Sequence, residues 1–120
     1  MAKWLIRTFT SDTGAKPVDE WIEGLQPSAR ASVLRLIDRL ETEGVEIQAP
    51  FVDYLGDDLW ELRARDASGA YRVIYFHWKG RTFGLLHGFT KKTQKTPPSE
   101  LATARTRHRI WMERVRMKNG

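Results

Sequence analysis

The sequence predicts a single α+β domain over residues 1–120, with a small antiparallel sheet and the element order β-α-α-β-β-β-α. Three observations predict this class. The chain has 120 residues, which is the length of one domain. Two short helical patterns follow an N-terminal strand pattern, and three strand patterns with short turns then precede a final helical pattern. Helices segregated onto one face of an antiparallel sheet define this layered class.

The N-terminal elements are one strand and a helical hairpin. Residues 4–9 predict a strand because they are rich in aromatic and β-branched side chains. Pro17 opens the first helix, Pro27 opens the second, and Gly44 ends it. We expect an irregular segment over residues 45–58. The predicted apolar stripe of the second helix consists of Ala29, Val33, Leu34, Ile37 and Leu40.

The remaining elements predict an antiparallel meander and a long helix. Residues 59–64 alternate between apolar and charged side chains, and residues 71–78 form an apolar run typical of a central strand. Lys79-Gly80 predicts a tight turn before the last strand, over residues 81–89. The final helix is expected over residues 100–117. Its predicted buried stripe consists of Leu101, Ala104, His108, Trp111, Met112 and Val115.

We expect all three helices on one face of the sheet and the other face uncovered. Arg63, Arg65 and Arg72 lie on two strands joined by one turn, so the pattern predicts that they converge on the open face.

Several function classes are excluded by composition. The absence of cysteine excludes disulfides, thiolate metal sites and a cysteine nucleophile. The three histidines lack metal-ligand spacing, so no metal site is predicted, and no glycine-rich phosphate loop is present. No apolar run approaches the roughly 18–20 residues that span a bilayer, and no secretory signal is evident. We therefore expect a soluble cytoplasmic protein.

The charge is distributed unevenly along the chain. The net charge is +5, but residues 1–62 sum to −6 and residues 63–120 sum to +11. A strongly basic half indicates an anionic partner, and nucleic acid is the commonest one.

A set of basic residues with aromatic neighbours is the main chemical signal. Cleavage of RNA needs a proton acceptor for the 2′-hydroxyl, cations around the phosphorane and a proton donor for the 5′-oxygen. Arginine clamps phosphate, and lysine can transfer protons where crowded cations depress its pKa. The set consists of Arg63, Arg65, Tyr71, Arg72, Tyr75, Lys91, Lys92 and Lys95.

Motifs at these positions resemble the RelE/ParE toxin superfamily, and more narrowly its HigB-type, phage-derived branch. The resemblance covers about residues 3–116. The matching motifs are Trp60-Glu61-Leu62-Arg63, Tyr71-Arg72-Val73-Ile74-Tyr75, the segment from His87-Gly88-Phe89 through Lys91-Lys92 to Pro97, and a helix starting Glu100-Leu101-Ala102.

The resemblance implies a RelE-like microbial RNase fold and a toxin of a type II toxin–antitoxin pair. Members typically enter the ribosomal A site and cut mRNA without metal or other cofactor, leaving a cyclic phosphate. Arg72 matches the arginine that contacts the scissile phosphate. Arg63 matches a basic position on the preceding strand. The other implied site residues are the catalytic Lys91 and Lys92, and Arg65, Lys95 and Tyr71 as RNA contacts.

Two departures from the family pattern leave the proton-transfer groups open. Glu61 stands where some RelE members have a lysine, so Glu61 is itself a candidate general base. The C-terminal catalytic tyrosine of some members is absent.

Other functions are consistent with the same sequence. A ParE-like inhibitor of DNA gyrase would be a binding poison, and a phage accessory protein would bind RNA or a partner without catalysis. For a toxin, we expect a helix-turn-helix, HigA-like antitoxin as partner, because an exposed cationic groove attracts an acidic or helical segment.

Overall fold

The computed structural model describes residues 3–92 and 95–119. Within these ranges, five strands and three α-helices follow one another, and one 3-10 turn over Gly44–Glu46 succeeds the second helix. Their bounds are β1 Leu5–Thr8, α1 Pro17–Glu23, α2 Pro27–Glu43, β2 Val52–Gly56, β3 Leu59–Asp66, β4 Gly69–Lys79, β5 Thr82–Lys91 and α3 Pro98–Asn119. The α+β class is confirmed.

The five strands form one mixed sheet in the order β1-β5-β4-β3-β2. The strands from β2 to β5 make the predicted antiparallel meander, whereas β1 pairs with β5 in parallel. The expectation of a wholly antiparallel sheet is therefore wrong for the N-terminal strand. Its partner is the last strand, and such a distant pairing leaves no local pattern in either segment.

β2 lies inside the segment predicted to be irregular. Val52 pairs with Leu62 of β3, and the ladder continues to Gly56 through a shift in register. Of the five residues of β2 only Val52 is buried, because the strand forms an edge of the sheet. An edge strand of this kind lacks the alternation by which strands are predicted.

The helical hairpin of α1 and α2 covers one face of the sheet. Val18, Ile37 and Leu40 pack there against alternate residues of the strands. Leu34, predicted in the apolar stripe, is exposed, and Leu36 is buried instead. α1 approaches β5 closely, since a Cβ at Gly88 would lie 2.2 Å from Cε3 of Trp21.

α3 covers the other face of the sheet, contrary to the expectation that all helices share one face. Ala104, Leu101 and Trp111 pack against a second apolar cluster that includes Ile74 and Phe76 of β4. Alternate residues of β4 therefore serve two cores. The sequence pattern indicates that β4 is buried on both sides, but it does not show which helix covers each side.

α3 leaves part of its face of the sheet open. The helix begins at Pro98, beyond the segment that follows β5, and the ends of β3, β4 and β5 nearest to that segment bear charged side chains. Met112, predicted in the buried stripe, is exposed. No helix within the described ranges is long and apolar enough to cross a membrane.

Candidate active site

Strand pairing aligns the predicted basic residues on the part of the sheet that α3 leaves open. Arg63 of β3 lies directly opposite Arg72 of β4. Arg65 and Lys91 both pair with Ala70, from the two sides of β4. Because directly paired residues project from the same face of a sheet, these four cations share one face. The predicted convergence of Arg63, Arg65 and Arg72 is therefore present.

Glu61 lies fully buried among these cations. Its Oε1 atom is 3.4 Å from Nε of Arg63 and 3.5 Å from Nε of Arg72. Its Oε2 atom accepts a hydrogen bond of 2.6 Å from the hydroxyl of Thr96, in the loop before α3. The side chain is 0% exposed. Since both carboxylate oxygens have partners and neither meets solvent, this geometry suits a residue that positions the arginines better than the predicted general base.

Arg72 is held rigidly at the centre of the cluster. It is 7% exposed, and its Nη1 atom donates to the backbone carbonyls of Tyr71 at 3.1 Å and Ala64 at 3.5 Å. Burial lowers the pKa of Arg72, the charge of Glu61 opposes this shift, and the neighbouring arginines add to it. A guanidinium remains charged under all these conditions, so Arg72 supplies a fixed positive charge.

Arg63 forms the wall of an open cleft of about 320 Å³ beside Arg72. Its Nη2 atom is 3.0 Å from Oδ2 of Asp53, a half-exposed residue of β2. The Arg63 guanidinium therefore interacts with two carboxylates, those of Glu61 and Asp53. The cleft is lined by Pro50, Phe51, Arg63, Arg65 and Arg72.

The lysines lie at the end of β5 and in the loop that follows it. Lys91 is partly buried, and burial lowers its pKa, as do the positive charges of Arg72 and Arg63. Lys92 and Lys95 are exposed. Lys91 is therefore the lysine most closely integrated with the arginines.

The structure places Tyr71 away from this cluster. Its ring belongs to the core under the helical hairpin, and its hydroxyl donates to Oδ1 of Asp66 at 2.9 Å. Tyr75 belongs to the same core. Tyr71 therefore lies on the opposite face of the sheet from Arg72, and this position does not support its predicted contact with RNA.

Comparison with known proteins relates the chain to phage-derived proteins. Residues 20–109 match the family described as "Phage derived protein Gp49-like (DUF891)". The chain belongs to the Gp49-like family. Two Mycobacterium tuberculosis proteins, from strains CDC 1551 / Oshkosh and ATCC 25618 / H37Rv, are both named "Probable endoribonuclease HigB1". Each is 30% identical over 112 residues, covering 92% of this chain and 86% of the relative. The predicted resemblance to the HigB-type branch is confirmed.

The cluster of this Gp49-like protein provides the means to bind an anion at an open cleft. Arginines clamp phosphate oxygens in a forked geometry, and their attraction strengthens where water is excluded. Arg72 is fixed and nearly buried, whereas Arg63 and Arg65 border the cleft. The arrangement suits a phosphodiester that enters the cleft and contacts Arg72 at its base.

Sequence reasoning missed three residues around the site of this Gp49-like protein. Asp53 and Phe51 lie in the segment predicted to be irregular, and nothing in the local pattern distinguishes them. Thr96 lies inside the motif from His87 to Pro97, and that motif is the signal that could have identified it.

His87 connects the site to α3. Its Nδ1 atom lies 3.1 Å from Nη1 of Arg107, and its Nε2 atom lies 2.7 Å from Oε1 of Glu100. Because arginine only donates, Nδ1 accepts and Nε2 donates to the carboxylate. Both ring nitrogens are thus used in joining β5 to the first turns of α3, next to the open part of the sheet.

Proposed function

We propose that this protein is the toxin of a type II toxin–antitoxin pair and acts as an endoribonuclease that cuts mRNA. The proposal rests on the convergence of Arg63 and Arg72 next to buried Glu61 at an open cleft, with Lys91 on the same face of the sheet. The names of the two mycobacterial relatives support the same activity. We further propose that cleavage takes place in the ribosomal A site and requires no metal ion.

The chemistry follows from where charge develops during cleavage. The ribose 2′-oxygen attacks the adjacent phosphorus, the bond to the 5′-oxygen breaks, and a 2′,3′-cyclic phosphate and a 5′-hydroxyl remain. Arg72 and Arg63 stabilise the charge on the phosphorane. Lys91, whose pKa is lowered by burial and by Arg72, is the best placed group to exchange a proton with one of the two ribose oxygens.

A partner that silences the toxin forms part of the proposal. The cationic face is open, and a complementary acidic or helical segment would cover it and exclude RNA. We propose that this partner is a helix-turn-helix, HigA-like antitoxin and that its presence prevents cleavage.

The decisive experiment compares wild type with Arg72→Gln after brief induction in bacteria, by mapping new 5′ ends of mRNA on ribosomes. We expect wild type to cut within codons and to stop growth. Arg72→Gln, if folded, should lose cleavage by about 10²-fold or more, because a fixed charge on the phosphorane is removed. Arg109→Gln, on the exposed side of α3, is the matched control and should cut normally.

Two results would contradict the proposal. Full cleavage by a folded Arg72→Gln variant would show that the cluster is not the active site. Growth arrest with intact mRNA and stalled gyrase–DNA complexes would instead indicate a gyrase inhibitor.

A further inference from the structure

A groove leads away from the active-site cleft, around the edge of the sheet, to the surface of α2. The cleft beside Arg72 adjoins a second cleft of about 230 Å³. The two clefts share Phe51, Arg63 and Arg65 in their walls, and together they are called the groove below. The second cleft also includes Ser32, Arg35, Leu36, Arg39 and Ala64.

Two hydrogen bonds tie the walls of this groove together. The Arg63 amide donates to the carbonyl of Phe51 at 2.8 Å, which fixes the segment before β2 against β3. The Ser32 hydroxyl donates to the carbonyl of Arg65 at 2.7 Å, which fixes α2 against the same strand. The groove is therefore a preformed feature of the fold.

Phe51 presents an aromatic surface within the groove. Its ring is 37% exposed although it is apolar. The Arg39 guanidinium lies 4.3 Å from the ring centroid, and Glu43 holds that guanidinium with bonds of 2.6 and 3.1 Å. A ring supported in this way by a cation is suited to stacking against another flat group, such as a nucleobase.

Arg35 and Arg65 provide positive charge in the same cleft as this ring. Both are exposed. Within the part of the chain that the structure describes, neither pairs with a carboxylate, whereas Arg63 and Arg39 do. These two guanidinium groups are thus available to an anion from solution.

We propose that this groove binds single-stranded RNA next to the scissile linkage, with one base stacked on Phe51 and a neighbouring phosphate held by Arg35 and Arg65. The inference rests on the proposed function and adds a subsite to it. An acidic peptide would also find cations here, but it would have no use for the exposed ring. The combination of an aromatic platform with two arginines in the same cleft favours nucleic acid.

The test uses the purified full chain and short single-stranded oligoribonucleotides whose 2′-hydroxyl groups are methylated to prevent cleavage. A series of oligonucleotides carries one 2-aminopurine each, at a different position in each member of the series. Stacking quenches the fluorescence of this base. We expect quenching at one position, lost in Phe51→Leu together with about a ten-fold rise in Kd. Arg35→Gln should reduce the slope of log K against log salt by about 0.7, the loss of one phosphate contact.

Arg109→Gln removes the same charge from an exposed site on α3 and is the control. Unchanged affinity and quenching in both groove variants would overturn the subsite. The same holds if wild type fails to bind the oligonucleotide at low ionic strength. A glutamate-rich peptide tests the alternative occupant. If the groove variants lose binding to this peptide but still bind RNA like wild type, the groove belongs to a protein partner and the RNA subsite is overturned.

Different experimental results would refute the subsite and the proposed function. If Arg72→Gln abolishes mRNA cleavage while Phe51→Leu and Arg35→Gln bind RNA like wild type, only the subsite is refuted. If the groove variants lose RNA binding while folded Arg72→Gln still cuts mRNA, the active-site assignment is refuted and the groove stands.

Discussion

Glu61 determines how the arginines of the active site are arranged. A carboxylate is seldom fully buried unless cations or hydrogen-bond donors surround it. Here two guanidinium groups and the Thr96 hydroxyl meet it from three segments of the chain. Its charge relieves the repulsion between Arg63 and Arg72, which lie directly opposite each other on neighbouring strands. We therefore assign Glu61 a positioning role.

Replacing Glu61 with Gln distinguishes this role from general-base catalysis. The free energy of unfolding should fall by about 2 kcal/mol. This is less than the roughly 3–5 kcal/mol lost when a buried ion pair is broken outright, because the amide still accepts from Thr96. For cleavage on purified ribosomes we expect KM to rise more than kcat falls. Urea unfolding and steady-state kinetics provide the two measurements.

A general base would give a different result. A fall in kcat of about 10²–10⁴-fold at unchanged KM would show that Glu61 accepts the proton. Thr96→Val is the companion variant, since it removes one hydrogen bond and leaves the charge of Glu61 in place. We expect it to cost about 1 kcal/mol of stability.

The arginines of the site could be predicted from sequence, whereas Glu61's environment could not. A short turn between two strands places Arg63 and Arg72 together, and that turn is visible in the local pattern. The burial of Glu61 depends on Thr96, which is 35 residues away along the chain. Phe51 is positioned by the pairing of β2 with β3, which no local sequence pattern indicates.

At the scale of elements, α3 contributes a core of its own. Its inner side packs on Ile74 and Phe76, and the ring of His108 lies edge-on to Phe76 with centroids 4.5 Å apart. Burial lowers the pKa of His108 below its ordinary value, and the charge of Asp58 opposes this shift. The docking of α3 therefore favours neutral His108.

This packing predicts a loss of stability in acid. As the pH falls below about 6.5, the unfolded chain takes up a proton at His108 before the folded chain does. Protonation therefore stabilises the unfolded state relative to the folded state. The melting temperature of wild type should therefore drop between neutral pH and about pH 5 by more than that of His108→Phe. Thermal unfolding followed by circular dichroism measures the difference. Parallel curves for the two proteins would refute this account.

Among the elements, those with strong internal periodicity were predictable, whereas β2 was missed and β1 was predicted as a strand without its parallel pairing with β5. The hairpin helices, the three central strands and α3 each show a clear apolar pattern. β1 and β2 form the edges of the sheet, and an edge strand is defined mainly by its partner. The choice of face for α3 likewise depends on the packing of the whole chain and not on its own sequence.

At the scale of the molecule, the uneven distribution of charge along the chain gives a surface region of concentrated positive charge. The basic half of the sequence supplies β4, β5, α3 and the second half of β3, and the cations of the candidate site come from it. The groove proposed to bind RNA then extends this positive region onto α2, in the acidic half. Binding of a polyanion to such a surface releases counterions, and its strength depends on salt.

The salt dependence of RNA binding gives a measure of this surface. For a single-stranded oligoribonucleotide, log K should fall with log salt with a slope of about −2 or steeper, which corresponds to three or more phosphate contacts. The double variant Arg65→Gln, Lys91→Gln should lessen the slope by about 1.4, and Arg109→Gln, Arg116→Gln should change it much less. Fluorescence anisotropy titrations suffice. A slope near zero in wild type would argue against a phosphate-binding face.

The turn between β3 and β4 has a consequence for the whole active site. Asp66 accepts hydrogen bonds from the amides of Ser68 and Gly69 as well as from Tyr71, so one carboxylate fixes the number of residues in the turn. A single inserted or deleted residue would shift β4 by one residue relative to β3. Arg72 would then turn to the opposite face of the sheet, toward the apolar core beneath the helical hairpin. The length of this connection, set on the hairpin side of the sheet, thus limits which insertions the proposed active site tolerates.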